Sequence, residues 1–158
     1  MKRYKIITAG RNCGKTTFIR RAAAEDCKAA GFLSEKEDDG YCIVNIREHS
    51  RVRLLTDKPE FIWRFRRWYI NENAFHEAFR YISSLDPGTD RLYIDEIGLL
   101  ECEGRGFAPV LRYSEAHGFN ITVTIRDSLI PAVIENFPFL KDAEISAVPP
   151  LPSPSRQR

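Results

Sequence analysis

TAGRNCGKTTF, residues 8–18, is the stretch whose reading decides the fold. It lies between two runs of different character. Before it, RYKIIT (residues 3–8) is short, apolar and rich in β-branched side chains, as suits an interior strand. After it, TTFIRRAAAEDCKAA (residues 16–30) has helix-forming composition and is expected to stop at Gly31. A strand, a glycine-containing turn and a helix N-terminus are what a phosphate-cradling loop requires, because the backbone N–H groups must converge on the anion. The pattern G-x-x-x-x-G-K-[ST] supplies this geometry. Its counterpart here runs Ala9, Gly10, Arg11, Asn12, Cys13, Gly14, Lys15, Thr16, followed by Thr17. Gly14 allows the backbone to approach the phosphates. Lys15 brings charge to the β- and γ-phosphates, and Thr16 offers a hydroxyl to Mg²⁺. Ala9 replaces the usual opening glycine, and Gly10 beside it can absorb unusual dihedrals. Arg11 contacts either phosphate or solvent.

A second stretch, RLYIDEIGLLE (residues 91–101), ends a short apolar run in two adjacent carboxylates, Asp95 and Glu96. Charge at the end of a buried strand is costly unless something offsets it. Mg²⁺ offers that offset: Asp95 can hold the ion's water shell opposite Thr16. Glu96 then sits where it can accept a proton from the attacking water. Successive strand side chains point to opposite faces, so both reach one site only if the chain turns there. Gly98 is compatible with such a turn. Glu101 is the next candidate base.

The rest of the chain alternates strand and helix. GFLSEKE (31–37) and YCIVNIRE (41–48) flank Asp38-Asp39-Gly40, a hairpin turn, and RVRLL (51–55) can add a strand. ENAFHEAFRYISSL (72–85) has helical spacing, FAPVLRYSEAHG (107–118) reads as a helix, and SLIPAVIENF (128–137) as one with Pro131 in its first turn. FNITVTI (119–125) and AEISAV (143–148) read as strands. The expected class is α/β: a mainly parallel central sheet flanked by helices, with an inserted antiparallel hairpin. One domain is expected over residues 1–148. The tail 149–158, PPLPSPSRQR, is expected to be disordered.

Arg126, after the last residues of a predicted strand, either neutralises transition-state charge as an arginine finger or pairs with Asp127 or another acid. Thr124, two residues earlier, can contact the attacking water or γ-phosphate, but a core threonine is the preferred reading. IWRFRRWYI (62–70) interleaves rings with Arg64, Arg66 and Arg67. Such alternation can stack bases and track phosphates, but a half-buried strand with outward arginines is the preferred reading. A net charge of +2 gives no broad basic surface for duplex binding, so nucleic acid is possible but not favoured. No apolar run is long enough to span a bilayer, and the N-terminal one is too short for a signal peptide. Four scattered cysteines without a CxxC pair argue against zinc or a disulfide framework. A cytoplasmic monomer without membrane association is expected.

AGRNCGKTTFIRR (9–21), AGFLSEKEDDGYCIVNIRE (30–48), RRWYINENAFHEAF (66–79) and above all LYIDEIGLLE (92–101) resemble the THEP-type nucleoside-triphosphatases. The likeness runs from about Lys5 to Phe137. Its specific part is D-E-I-G-x-x-E, whose last member is Glu101. The resemblance implies a RecA-like P-loop fold and slow Mg²⁺-dependent hydrolysis of several nucleoside triphosphates, ATP and GTP among them. Lys15, Thr16, Asp95 and Glu96 match that family's motif positions, whereas Ala9 and Asn12 stand where the family usually has glycine. A small P-loop kinase and a nucleotide-gated binding module are the alternatives. Glu96 favours the hydrolase over the kinase, because a kinase has no water to activate.

Overall fold

Strand β1 (Tyr4–Ala9) leads into the loop, and helix α1 (Lys15–Ala24) leaves it. The coordinates are a computed structural model that describes residues 3–10 and 14–148. The expected tail, 149–158, and Arg11, Asn12 and Cys13 lie outside the described residues. Helix α1 ends earlier than its composition suggests. Ala29 and Ala30 belong instead to β2 (Ala29–Glu37), where they pair with Arg91 and Leu92 and are almost fully buried. Sheet pairing outweighs alanine's helix propensity here. Gly31 is therefore not a helix cap. It lies inside β2 at φ +126°, and a Cβ there would stand 2.0 Å from the Tyr93 carbonyl oxygen. Its glycine lets two strands approach.

Beyond β2 the chain turns at Asp38-Asp39 into β3 (Gly40–Asn45), then β4 (Arg51–Thr56). A further hairpin follows: β5 (Trp63–Phe65) and β6 (Trp68–Ile70). Helix α2 (Glu72–Ser83) leads to β7 (Arg91–Ile97), the single turn α3 (Leu99–Cys102) and α4 (Ala108–Ala116). Strand β8 (Asn120–Arg126), helix α5 (Ile130–Asn136) with Pro131 in its first turn, and β9 (Glu144–Ala147) complete the fold.

The strands form one nine-stranded sheet in the order β5-β6-β4-β3-β2-β7-β8-β1-β9. Five strands, β2-β7-β8-β1-β9, are mutually parallel, and the pairs outward from β2 are antiparallel. This corrects the expected mainly parallel sheet with one inserted hairpin: the antiparallel part is four strands deep. Strands β5 and β6 are three residues each, too short to show a sequence period.

Alternate residues of β1 divide between the two faces. Ile7 packs with Ile19 and Ala23 of α1, while Ile6 joins the larger cluster with Phe75, Leu111 and Val133 from α2, α4 and α5. The inner strands β1, β7 and β8 are covered on both faces, so each carries an uninterrupted buried stretch: Ile6 to Ala9, Leu92 to Asp95 and Val123 to Ile125. The C-terminal ends of β1, β7 and β8 meet at one edge, the usual ligand edge of an open parallel sheet.

Candidate active site

Gly14 opens α1 at φ +83°, a left-handed conformation that side chains resist. Lys15 is buried, and its ammonium donates to the Gly10 carbonyl at 3.1 Å, so it reaches back to the residue that follows β1. Thr16 Oγ1 donates to Asp95 Oδ2 at 2.8 Å across a gap of 79 residues. Thr17, also a candidate, is exposed on the helix surface.

The Asp95–Glu96 pair is divided by an irregularity in β7. Ile94 pairs with Val123, but Ile97 pairs with Ile125, so β7 carries one residue more than β8 over this span. That is a β-bulge, which re-aims side chains next to the ladder. Glu96 absorbs it at φ +66°, one of three described non-glycine residues with positive φ. The turn expected near Gly98 therefore falls on Glu96 itself. Gly98 is extended, at φ −162°. Thr124 holds the bulge: its buried hydroxyl accepts the Glu96 N–H at 2.8 Å and donates to Asp95 Oδ1 at 2.5 Å. The Ser34 N–H adds a 3.1 Å bond to Asp95 Oδ2. Asp95 is thus 2% exposed and held by three donors, while Glu96 turns outward.

Glu96 is accessible to solvent but crowded by the protein beneath it. That crowding raises its carboxyl above the usual range, and neighbouring Asp95 raises it further; Lys15 and Arg126 pull the other way. Glu101 is different. It is buried, Oε1 accepts the Gly98 N–H at 2.8 Å, and Oε2 accepts the Phe107 N–H at 3.0 Å. Burial pushes its carboxyl up to about 7 despite those bonds. Gly106 leaves room for it, since a Cβ there would stand 2.1 Å from Oε2. With both oxygens turned to backbone, Glu101 fixes the segment after Glu96 rather than facing the phosphate edge.

Arg126 lies opposite Ala9 in the β1–β8 register, beside the start of the loop. The alternative, an ion pair with Asp127 or another acid, is not formed among the described residues, and Asp127 Oδ1 accepts the N–H of Ser128. Thr124 and Ser34 were not assigned to the site from sequence. A threonine inside an apolar strand looks like core, and the Ser34 contact is made by backbone, which carries no residue signal. His49, His76 and His117 are all exposed.

The chain and its fold have counterparts among known proteins. In the THEP1 nucleoside-triphosphatase of Thermotoga sp. (strain RQ2), 29% of 136 aligned residues are identical, spanning 82% of this chain and 78% of the relative. For the THEP1 nucleoside-triphosphatase of Thermotoga maritima the identity is 27% over the same shares. The fold matches the crystal structure of THEP1 from Aquifex aeolicus with a TM-score of 0.75 at 20% identity, covering 93% of this chain and 90% of that one. It matches the solution structure of a human cancer-related nucleoside triphosphatase with a TM-score of 0.74 at 23% identity, covering 94% and 89%. A sequence model described as NTPase matches residues 5–150, so both the loop and the bulged β7 fall within the match. The chain belongs to the NTPase family.

Proposed function

We propose that this protein hydrolyses nucleoside 5′-triphosphates, ATP and GTP among them, to diphosphate and phosphate in a Mg²⁺-dependent reaction. The observation that carries the reading is the Thr16–Asp95 hydrogen bond at 2.8 Å, with Glu96 turned outward from the same strand end. The loop residues Ala9, Gly10, Arg11, Asn12, Cys13, Gly14, Lys15, Thr16 and Thr17 are the proposed triphosphate cradle. Thr16 and Asp95 offer the hard oxygen donors that suit Mg²⁺, which takes few protein ligands and fills its shell with water and phosphate oxygens. When bound, Mg²⁺ would neutralise charge on the β- and γ-phosphates.

Lys15 exchanges its bond to the Gly10 carbonyl for phosphate oxygens. Glu96 accepts the proton of the attacking water, a role for which a carboxyl raised toward neutrality is suited. Arg126, next to the loop, stabilises charge on the departing diphosphate. Asp95 orients Thr16 and does not itself take a proton. The described cysteines are free thiols, in keeping with a reducing cytoplasm, and a monomer completes the reading.

The test is phosphate release from ATP, GTP, CTP and UTP with Mg²⁺ and no acceptor. Steady release from several of them, lost in Lys15→Ala, is expected. No phosphate release with water alone, and nucleoside diphosphate formed only when a phosphoryl acceptor is added, would replace the hydrolase with a kinase.

A further inference from the structure

The β5–β6 hairpin takes no part in the site just described, yet it has the most unusual surface of the molecule. Ile62 and Trp63 are 93% and 57% exposed. Arg64, Arg66 and Arg67 are exposed beside them. Among the described residues, none of these three guanidiniums has a carboxylate partner within 4 Å, whereas Arg20, Arg47, Arg51, Arg53, Arg91 and Arg105 each have one. The three instead lie over rings: Arg64 over Tyr69 at 4.9 Å, Arg66 over Phe65 at 5.7 Å and Arg67 over Trp68 at 4.4 Å. Stacked in this way, the guanidiniums are pre-positioned while their N–H groups stay free. Trp63 has no such cation over its ring among the described residues, and its exposure shows that it is not the covered strand residue that its sequence suggests.

The placement adds to this. Strand β5 runs in the same direction as β7, so the Arg66-Arg67 turn lies at the sheet end where Glu96 lies. Arg105, in the loop after α3, donates to the Arg64 carbonyl at 3.2 Å and pairs with Glu72, tying the hairpin to that end.

We propose that the β5–β6 hairpin binds single-stranded nucleic acid, with Trp63 stacking on a base and Arg64, Arg66 and Arg67 contacting phosphates. Open guanidiniums on one short hairpin with an open indole offer contacts for both the phosphates and a base of a single strand. A protein strand adding to the sheet edge fits less well, because β5 is only three residues long. The site is independent of triphosphate hydrolysis and stands or falls without it.

The experiment measures binding of a fluorescein-labelled oligothymidylate of about a dozen nucleotides by anisotropy across a salt series. Three phosphate contacts give a slope of about −2 in log affinity against log salt. Arg64→Ala/Arg66→Ala/Arg67→Ala should bring that slope close to zero. Trp63→Ala should weaken binding about tenfold with little change in slope. A variant losing the same charge elsewhere, Lys28→Ala/Arg80→Ala/Lys141→Ala, should keep the slope. Unchanged melting and triphosphate hydrolysis in the hairpin variants would show that they fold. The proposal is overturned if the oligonucleotide does not bind, or if the triple hairpin variant keeps the full slope. Equal affinity for a duplex of the same length, or displacement by polyglutamate at equal charge, would overturn it as well.

Discussion

Strand β7 meets a held aspartate at each end, Asp26 from outside the strand and its own Asp95, and the two are held in opposite ways. At its start, Asp26 takes two charged bonds from Arg91, at 2.6 and 2.7 Å, and a third from the Tyr93 hydroxyl at 2.8 Å. Arg91 is the main cause that holds the Asp26 carboxyl down at about 2. At its end, Asp95 is held by Thr16, Ser34 and Thr124, all uncharged, and the next residue sits in a strained conformation with its carboxyl raised. One end satisfies its charge and follows the regular ladder. The other end breaks the ladder and leaves a carboxylate turned outward. The lesson is that charge pairing marks the structural end and backbone strain marks the end proposed to work on triphosphate.

The contrast breaks most visibly at Glu96. Glu96→Gln keeps the shape and removes the base, so single-turnover hydrolysis should fall by about a hundredfold or more while triphosphate binding survives. Normal turnover in that variant would reduce Glu96 to a structural carboxylate. Next in size is Thr124→Val, which strands the Glu96 N–H and one Asp95 oxygen. It should lower unfolding stability by about 2 kcal/mol and also slow hydrolysis. Loss of stability at full activity would mean that the bulge does not serve the site.

The two ends should also respond to pH with opposite signs. Asp26 is depressed in the fold, so its contribution is complete above the ordinary carboxyl value near 4 and is lost as pH falls through about 2, some 2 kcal/mol in all. Glu101 is raised to about 7 from 4.5, so the native state holds its proton longer and stability declines as pH rises between those values. Urea titrations of Asp26→Asn and Glu101→Gln against the parent across pH should remove the acid limb in one and the neutral decline in the other. Matching profiles for both variants would erase the distinction. The smallest effect is expected for Glu96→Gly. Relief of the positive φ should raise stability by about 0.5–1 kcal/mol even as activity is lost. A less stable Gly variant would show that Glu96 is held by contacts rather than strained.

Much of the working end was legible in the sequence, because its elements are local. The Gly14-Lys15-Thr16 turn between a strand and a helix, and two carboxylates closing an apolar run, are adjacent in the chain, and each implies its chemistry by residue type. Thr124 was not legible, since its role depends on lying opposite a bulge that no pattern announces. The helix stop expected at Gly31 fails because the Tyr93 carbonyl, which would lie 2.0 Å from any Cβ there, belongs to a strand far away in the chain. The antiparallel half was underestimated for a related reason: its outer strands are brief and gain their identity from pairing with β4.

The sequence by itself therefore determined the Gly14-Lys15-Thr16 start of a helix after a strand, the acidic strand end, the order of most elements and the family likeness, because these rest on short-range spacing and side-chain chemistry. Only the tertiary structure decided which of the adjacent carboxylates is buried and which faces out. That choice follows from one extra residue in β7 between its pairings with β8, which forces Glu96 into a positive φ and hands both its N–H and the Asp95 oxygen to a single threonine hydroxyl.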